Sequence, residues 1–235
     1  MDQRLIDAIR QHAASEYPRE CCGLVVQRRR ETRYFPCRNQ DSDPTGQFQM
    51  APEDYAAAEA WGTVIGVVHS HPDATSQPSE LDKAQCDATG LPWHILSWPE
   101  GDLCTLQPRG ELPLIGRPFV LGHTDCWGLV MSYFRQIHAI ELPDYRVDYP
   151  WWESGADNRY LDNWFECGFR EFSGPPQPGD VAIMQVSAPV ANHAGVLLEG
   201  NMLLHHLYGR LSQRIPYGGY WRERTVKTLR YKDLG

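Results

Sequence analysis

Seven residues, Gln107-Pro108-Arg109-Gly110-Glu111-Leu112-Pro113, constrain this chain more than any other stretch. Two prolines and a glycine in so short a run interrupt helix and strand patterns alike, so the segment reads as a linker. At roughly 100–200 residues per domain, 235 residues accommodate one large domain or two compact ones. The linker selects two: residues 1–106 and 115–235, joined by 107–114.

The two blocks are patterned differently. In the first, Leu5, Ile6, Ile9 and Ala13 recur at helical spacing and predict a helix over 3–16 that ends before Pro18. Gly23 to Val26 and Tyr34-Phe35 read as short strands, and Pro52 opens an Ala-rich helix to Trp61. Thr63 to His69 reads as a buried strand running out into a turn, and Pro78 starts another helix. Trp93 to Trp98 and Leu103 to Leu106 complete an α/β pattern. In the second block, Pro118 to Gly122 leads into a helix from Asp125 to about Ile140, with another helix ending near Phe172. Strands are expected at 181–186, 194–198, 202–207 and 226–231. Helices first and strands afterwards fit an α+β domain with helices on one side of an antiparallel sheet.

Charge and cysteine usage narrow the function. With 22 basic residues against 30 acidic ones and no block of five or six Lys or Arg, the short Arg28-Arg29-Arg30 run included, the chain lacks what a nucleic-acid or anionic-membrane binder needs to neutralise phosphates. The longest apolar stretch, around Val64 to Val68, is far short of the ~18 residues that span a bilayer. The start carries no signal-peptide pattern, so the chain reads as soluble and made in the cytoplasm. Seven cysteines without a CxxC pair read as reduced thiols rather than a disulfide framework.

His69-Ser70-His71-Pro72 is the first motif with chemistry. Side chains alternate along a strand, so both imidazoles share one side. Asp82, arriving from the next helix, completes three ligands, and an open fourth position makes a catalytic rather than a structural zinc site. Glu20, just before the strand at Gly23, is a candidate base for the attacking water. Residues 20 and 69–82 resemble the JAMM (MPN+) metallopeptidase signature: a Glu, then H-S/T-H-P, then S-x-x-D with ten residues between the second His and the Asp. Glu20-Cys21-Cys22-Gly23-Leu24 is similar to the family's E-x-C-G-L segment. The resemblance implies an MPN-like fold for residues 1–106, with His69, His71 and Asp82 on zinc, Glu20 as base and Ser79 as donor to the oxyanion. Cys21 and Cys22 read as small buried side chains.

The second motif, Asp125-Cys126-Trp127-Gly128-Leu129-Val130, places a cysteine at a helix start, where unpaired N–H groups favour a thiolate. Candidate bases lie on the later strands, His193 and His205 or His206, one histidine to meet the sulfur and a second behind it as orienter. Together with Pro178-Gly179-Asp180 and His193-Ala194-Gly195-Val196, these resemble the NlpC/P60 cysteine peptidases over about 115–235. That implies a papain-like α+β fold, with Cys126 as nucleophile, His193 as base and His205 as the third polar residue. One departure stands out: the family's upstream tyrosine is Phe119 here, which cannot donate a hydrogen bond.

A JAMM-like block fused to an NlpC/P60-like block resembles the phage tail assembly protein K family. The resemblance implies a hydrolase of the phage or prophage tail tip, acting in tip assembly, in cell-wall penetration, or in both. Its partners would be peptidoglycan peptide stems and other tail-tip proteins, and its location the host cytoplasm during assembly and then the virion. The alternative expectation is a structural tail-tip protein with one or both sites degenerate.

Overall fold

Leu5, Ile9 and Ala13 line the inner side of α1 (Gln3–Glu16), whose N-terminus is capped by Asp2 Oδ1 accepting from Leu5 N at 3.0 Å. Strands β1 (Cys22–Arg28) and β2 (Glu31–Cys37) form a hairpin, followed by α2 (Pro52–Trp61), β3 (Thr63–Pro72), α3 (Glu80–Thr89), β4 (Trp93–Trp98) and β5 (Leu103–Leu106). The computed structural model describes residues 1–234, and these fall into two compact units that divide after Gly110.

In the first unit the strand order is β2-β1-β3-β4-β5. Only β3 and β4 run parallel, because α3 carries the chain across between them. Alternation along the strands sorts the core into two layers. Val25, Val68 and Leu96 pack on Leu5, Ile9 and Ala13 of α1, whereas Leu24, Val26, Val67 and Trp93 pack on Ala58 of α2 and Cys86 of α3. Pairing of β3 with β4 continues to Pro72 opposite Trp98. The strand therefore does not run out at His69 but carries both histidines, and by parity both lie on the α3 side with Val67. The helix expected from Pro78 begins at Glu80, with Ser79 as its cap.

The second unit is built on α4 (Cys126–His138). Its cap, Asp125, accepts from Gly128 N at 2.8 Å. The remaining elements are α5 (Arg159–Asn163), β6 (Phe169–Arg170), β7 (Val181–Met184), β8 (His193–Leu198), β9 (Met202–His205), β10 (Gln213–Pro216), α6 (Tyr220–Arg224) and β11 (Thr225–Tyr231). The sheet is antiparallel throughout, in the order β10-β9-β8-β7-β11-β6. Leu129, Val130 and Phe134 of α4 pack on Val181, Ile183, Ala194 and Val196. Met184, Leu197, Leu203 and Tyr217 form a smaller layer on the opposite face, with Trp221 against it.

One predicted helix is corrected. The segment before Phe172 is helical only over α5, because Gly168 takes a left-handed φ of 90° and turns the chain into β6, which pairs with β11. The Asp180 carboxylate anchors the entrance of β7: it accepts from Arg230 Nε and Nη2 of β11 at 2.7 and 2.8 Å and from Gln177 N at 2.7 Å. At Gly195 an added Cβ would meet Leu203 Cδ1 at 2.8 Å and the Leu204 carbonyl oxygen at 2.9 Å, so glycine lets β9 lie close to β8.

Candidate active sites

The first candidate site lies where β3 and the start of α3 meet. His69 Nε2 and His71 Nε2 face each other at 3.0 Å. Asp82 offers Oδ1 to His69 at 3.2 Å and Oδ2 to His71 at 3.4 Å. Among the described residues this is the one group of His, Cys, Asp and Glu side chains that converges as metal donors do.

The donor set fits a tetrahedral cation. Arms of ~2.0–2.1 Å place neighbouring donors about 3.3 Å apart, close to the 3.0 Å between the two histidine nitrogens and the 3.2 Å from His69 to Asp82 Oδ1, while Asp82 Oδ2 lies 3.4 Å from His71. The tautomer fits as well: His71 Nδ1–H donates to the Thr75 carbonyl oxygen at 2.8 Å, which turns the Nε2 lone pair toward the other two donors. His69 is buried, stacked on Phe48 with ring centroids 4.9 Å apart.

Asp82 is held by its own helix start. Ser79 Oγ and Ser79 N both donate to Asp82 Oδ2 at 2.7 Å, and Asp82 N donates back to Ser79 Oγ at 3.1 Å, a capping box whose acidic member faces the histidines. Burial opposes ionisation of Asp82, yet its bonds to His69, His71 and Ser79 prevail and keep the carboxyl far below the usual range. At rest the Ser79 hydroxyl is bonded to Asp82.

Glu20 shares a cleft with His71, Ser79 and Asp82. Burial pushes its carboxyl up to about 8, with His71 opposing and Asp82 adding. A dication at the donor set would draw that value down. Its backbone is fixed from both sides: Glu20 N donates to the Pro44 carbonyl oxygen at 2.7 Å, and Glu20 O accepts from Asn39 Nδ2 at 3.1 Å.

Asn39 was not singled out from sequence. It is 4% exposed, donates also to Gln47 O at 3.0 Å, and accepts through Oδ1 from Asp41 N and Gln49 N at 3.0 and 3.1 Å. Asn39 ties Glu20 to the loop whose Thr45, Gln47 and Phe48 line the cleft. An asparagine in a turn-rich stretch carries no signal of this role. Cys21 and Cys22 are both fully buried.

In the second unit, Cys126 and His193 line one cleft with Phe119, Trp151, Tyr160 and Tyr208. His193 Nε2 and His205 Nδ1 are 3.0 Å apart, so the structure brings the two histidines together. The sulfur is not bonded to His193. Cys126 Sγ lies 3.1 Å from the Tyr160 hydroxyl and faces the N–H groups of Ala194 and Trp127.

Gly195 pairs with His205 and Leu197 with Leu203, so His193 and His205 emerge on the side of Leu197 and Leu203, where Trp221 packs 4.3 Å from His205. Cys126, at the start of α4, meets the start of β8 at the Ala194 N–H and shares the cleft with His193.

One expectation is corrected here. Enclosure of Cys126 outweighs the helix start and pushes its thiol up to about 12, with Asp125 adding and Tyr160 opposing. His205 and His206 are both fully buried, and His206 Nε2–H donates to Arg210 O at 3.1 Å beneath the edge-on ring of Phe119. Burial lowers His193 to about 3, with His205 and His206 adding, and His205 to about 4, with His206 and Arg210 adding, so both are neutral near pH 7. Tyr160 was missed in the sequence because it lies 34 residues from Cys126 inside an aromatic-rich segment with little periodicity.

Fold and sites together define the class, a JAB/MPN-type unit followed by an NlpC/P60-type unit. Residues 2–107 match the family described as prokaryotic homologs of the JAB domain, and residues 116–230 match the NlpC/P60 family. Over 235 residues the chain is 74% identical to the tail tip assembly protein K of Escherichia phage N15, covering 100% of this chain and 97% of that one. It is 34% identical over 184 residues to the tail tip assembly protein K of Escherichia phage lambda, covering 78% of this chain and 89% of that one. It is also 26% identical over 115 residues to a desampylase of Haloferax volcanii, covering 46% of this chain and 82% of that one. The chain belongs to the tail tip assembly protein K family. No helix among the described residues is long and apolar enough to cross a membrane.

Proposed function

We propose that this chain is a two-site hydrolase of a phage tail tip, with a zinc peptidase site in the first unit and a cysteine endopeptidase site for peptidoglycan stems in the second. The observation that carries the reading is the convergence of His69, His71 and Asp82, 3.0 to 3.4 Å apart, in one cleft with Glu20. Zinc bound there would polarise a scissile carbonyl and acidify the attacking water. Glu20 takes the water's proton and returns it to the leaving nitrogen. Thr75 and Ser79 orient His71 and Asp82. Ser79 serves the oxyanion by exchanging its bond to Asp82 for one to the substrate.

In the second unit Cys126 attacks a stem carbonyl carbon, and His193 receives the thiol proton and delivers it to the leaving amine. Water then hydrolyses the thioester. His193 can do this because it is neutral; donating Nε2–H to His205 Nδ1 leaves its Nδ1 lone pair free. Kinship with the tail tip proteins of phages N15 and lambda supports a place in the virion tail reached from the host cytoplasm, with other tail-tip proteins as partners.

A second reading, a structural tail-tip protein with a degenerate cysteine site, is favoured by one observation: the Cys126 thiol is enclosed against Tyr160 and not bonded to His193. The two readings diverge on peptidoglycan digestion.

Elemental analysis tests the metal site. The purified chain is expected to hold about one zinc, and His69→Ala/His71→Ala to hold none. Unchanged zinc in the double variant overturns the assignment. Glu20→Gln is expected to keep the zinc and lose hydrolysis, because a base is not a ligand.

A further inference from the structure

We propose that Tyr160 is a catalytic residue of the cysteine site, its hydroxyl donating to the Cys126 sulfur at rest and to the oxyanion during attack. The proposal rests on the cysteine endopeptidase reading above. Among the described residues, the contact with Tyr160 at 3.1 Å is the one side-chain hydrogen bond that Cys126 makes.

The hydroxyl has no competing use nearby. Asp125, a carboxylate in the same cleft, accepts from Gly128 N at 2.8 Å and Gly122 N at 3.0 Å as the cap of α4. The ring is held rather than free: it stands edge-on to Trp127 and Trp151 at centroid distances of 5.8 and 5.7 Å. The start of α5 is pinned by Arg159, which donates to Asp157 Oδ2 at 2.8 Å and to Tyr145 O at 2.9 Å. Such a donor is preorganised, and catalysis by electrostatic stabilisation depends on that. Phe119, on another wall of the same cleft, brings no hydroxyl.

The step balances without a further reagent. The thiol proton passes to His193, the sulfur forms a bond to the carbonyl carbon, and the π pair moves onto the carbonyl oxygen. That oxygen develops its charge one bond from the attacked carbon, within reach of a hydroxyl already at hydrogen-bond distance from the sulfur. Collapse expels the amine, which takes the proton from His193. Tyr160 keeps its proton throughout and acts only as a donor.

Tyr160→Phe in the full chain removes the hydroxyl and keeps the ring between its two tryptophans. Two readouts are measured: the rate of iodoacetamide labelling of Cys126 at pH 7.5, resolved by peptide mass, and kcat and KM on a soluble stem peptide. Labelling is expected to slow three- to tenfold, because the thiolate loses a donor and the accompanying rise in nucleophilicity offsets only part of that loss. The variant's kcat is expected to fall about 10²–10³-fold, with KM little changed.

Unchanged or faster labelling overturns the proposal. If neither wild type nor variant cleaves the peptide, the endopeptidase reading fails, and the labelling rates still decide whether Tyr160 serves the sulfur. Should Tyr160→Phe fail to fold, 3,5-difluorotyrosine at 160, a stronger donor, is expected to speed labelling in the otherwise native chain. No change there would equally overturn the proposal.

Discussion

Asn39 puts a buried side-chain amide between Glu20 and the loop that lines the metal cleft, where its two ends satisfy backbone groups of Glu20, Asp41, Gln47 and Gln49. Asn39→Ala leaves those groups unmatched in a place water enters poorly. We expect a loss of about 2–4 kcal/mol in the stability of the first unit, read from urea unfolding. Zinc content should be kept, since none of the donors is lost, whereas hydrolysis should fall as Glu20 and the Thr45–Phe48 rim loosen. A urea midpoint unchanged from wild type would contradict this account of the loop. The contrast with His69, His71 and Asp82 shows what sequence conveys at this scale. Ligand types at a fixed spacing on one strand and the next helix start are a local pattern, legible in the order of residues alone. Asn39 reaches Glu20 across 19 residues of chain and Tyr160 meets Cys126 across 34, contacts set by tertiary packing, and no local pattern announces them.

The β8–β9 pair carries the cost of placing histidines inside the second unit. His193, His205 and His206 are neutral and buried, with values lowered by burial to about 3, 4 and 4, whereas in the unfolded chain they titrate near ~6.5. Because the folded values are depressed, the unfolded chain binds more protons as pH falls below ~6.5. The stability these groups contribute is therefore complete above that pH and is lost progressively down to about 3–4. Thermal unfolding followed from pH 7 to pH 4 should show a falling midpoint, and His205→Gln should make the fall shallower. A midpoint independent of pH over that range would contradict burial of neutral imidazoles. The same strands show which elements sequence reveals. β4, β5 and α2 have the predicted ends, because their apolar runs are bounded by proline, glycine or turn residues. β6, β10 and α6 were not foreseen, because two to five residues carry too little periodicity and their conformation comes from pairing or packing with distant chain. The helix expected to reach Phe172 failed for a related reason: α5 ends at Asn163 in a segment with little periodicity, and Gly168 with its left-handed φ then turns the chain into β6.

Across the whole molecule, the two-site proposal puts its two chemistries in different units, where they should respond to different poisons. The metal donors lie in residues before Gly110 and the cysteine cleft in residues after it. A chelator should silence the first chemistry and leave the second, and a thiol alkylator should do the reverse. The measurement that bears most directly on the two-site reading is release of stem peptides from purified peptidoglycan by the full chain, identified by mass. Wild type is expected to cut the stems with or without chelator, and Cys126→Ala to release nothing in either condition. Equal release by wild type and Cys126→Ala, or none by either, would contradict the account.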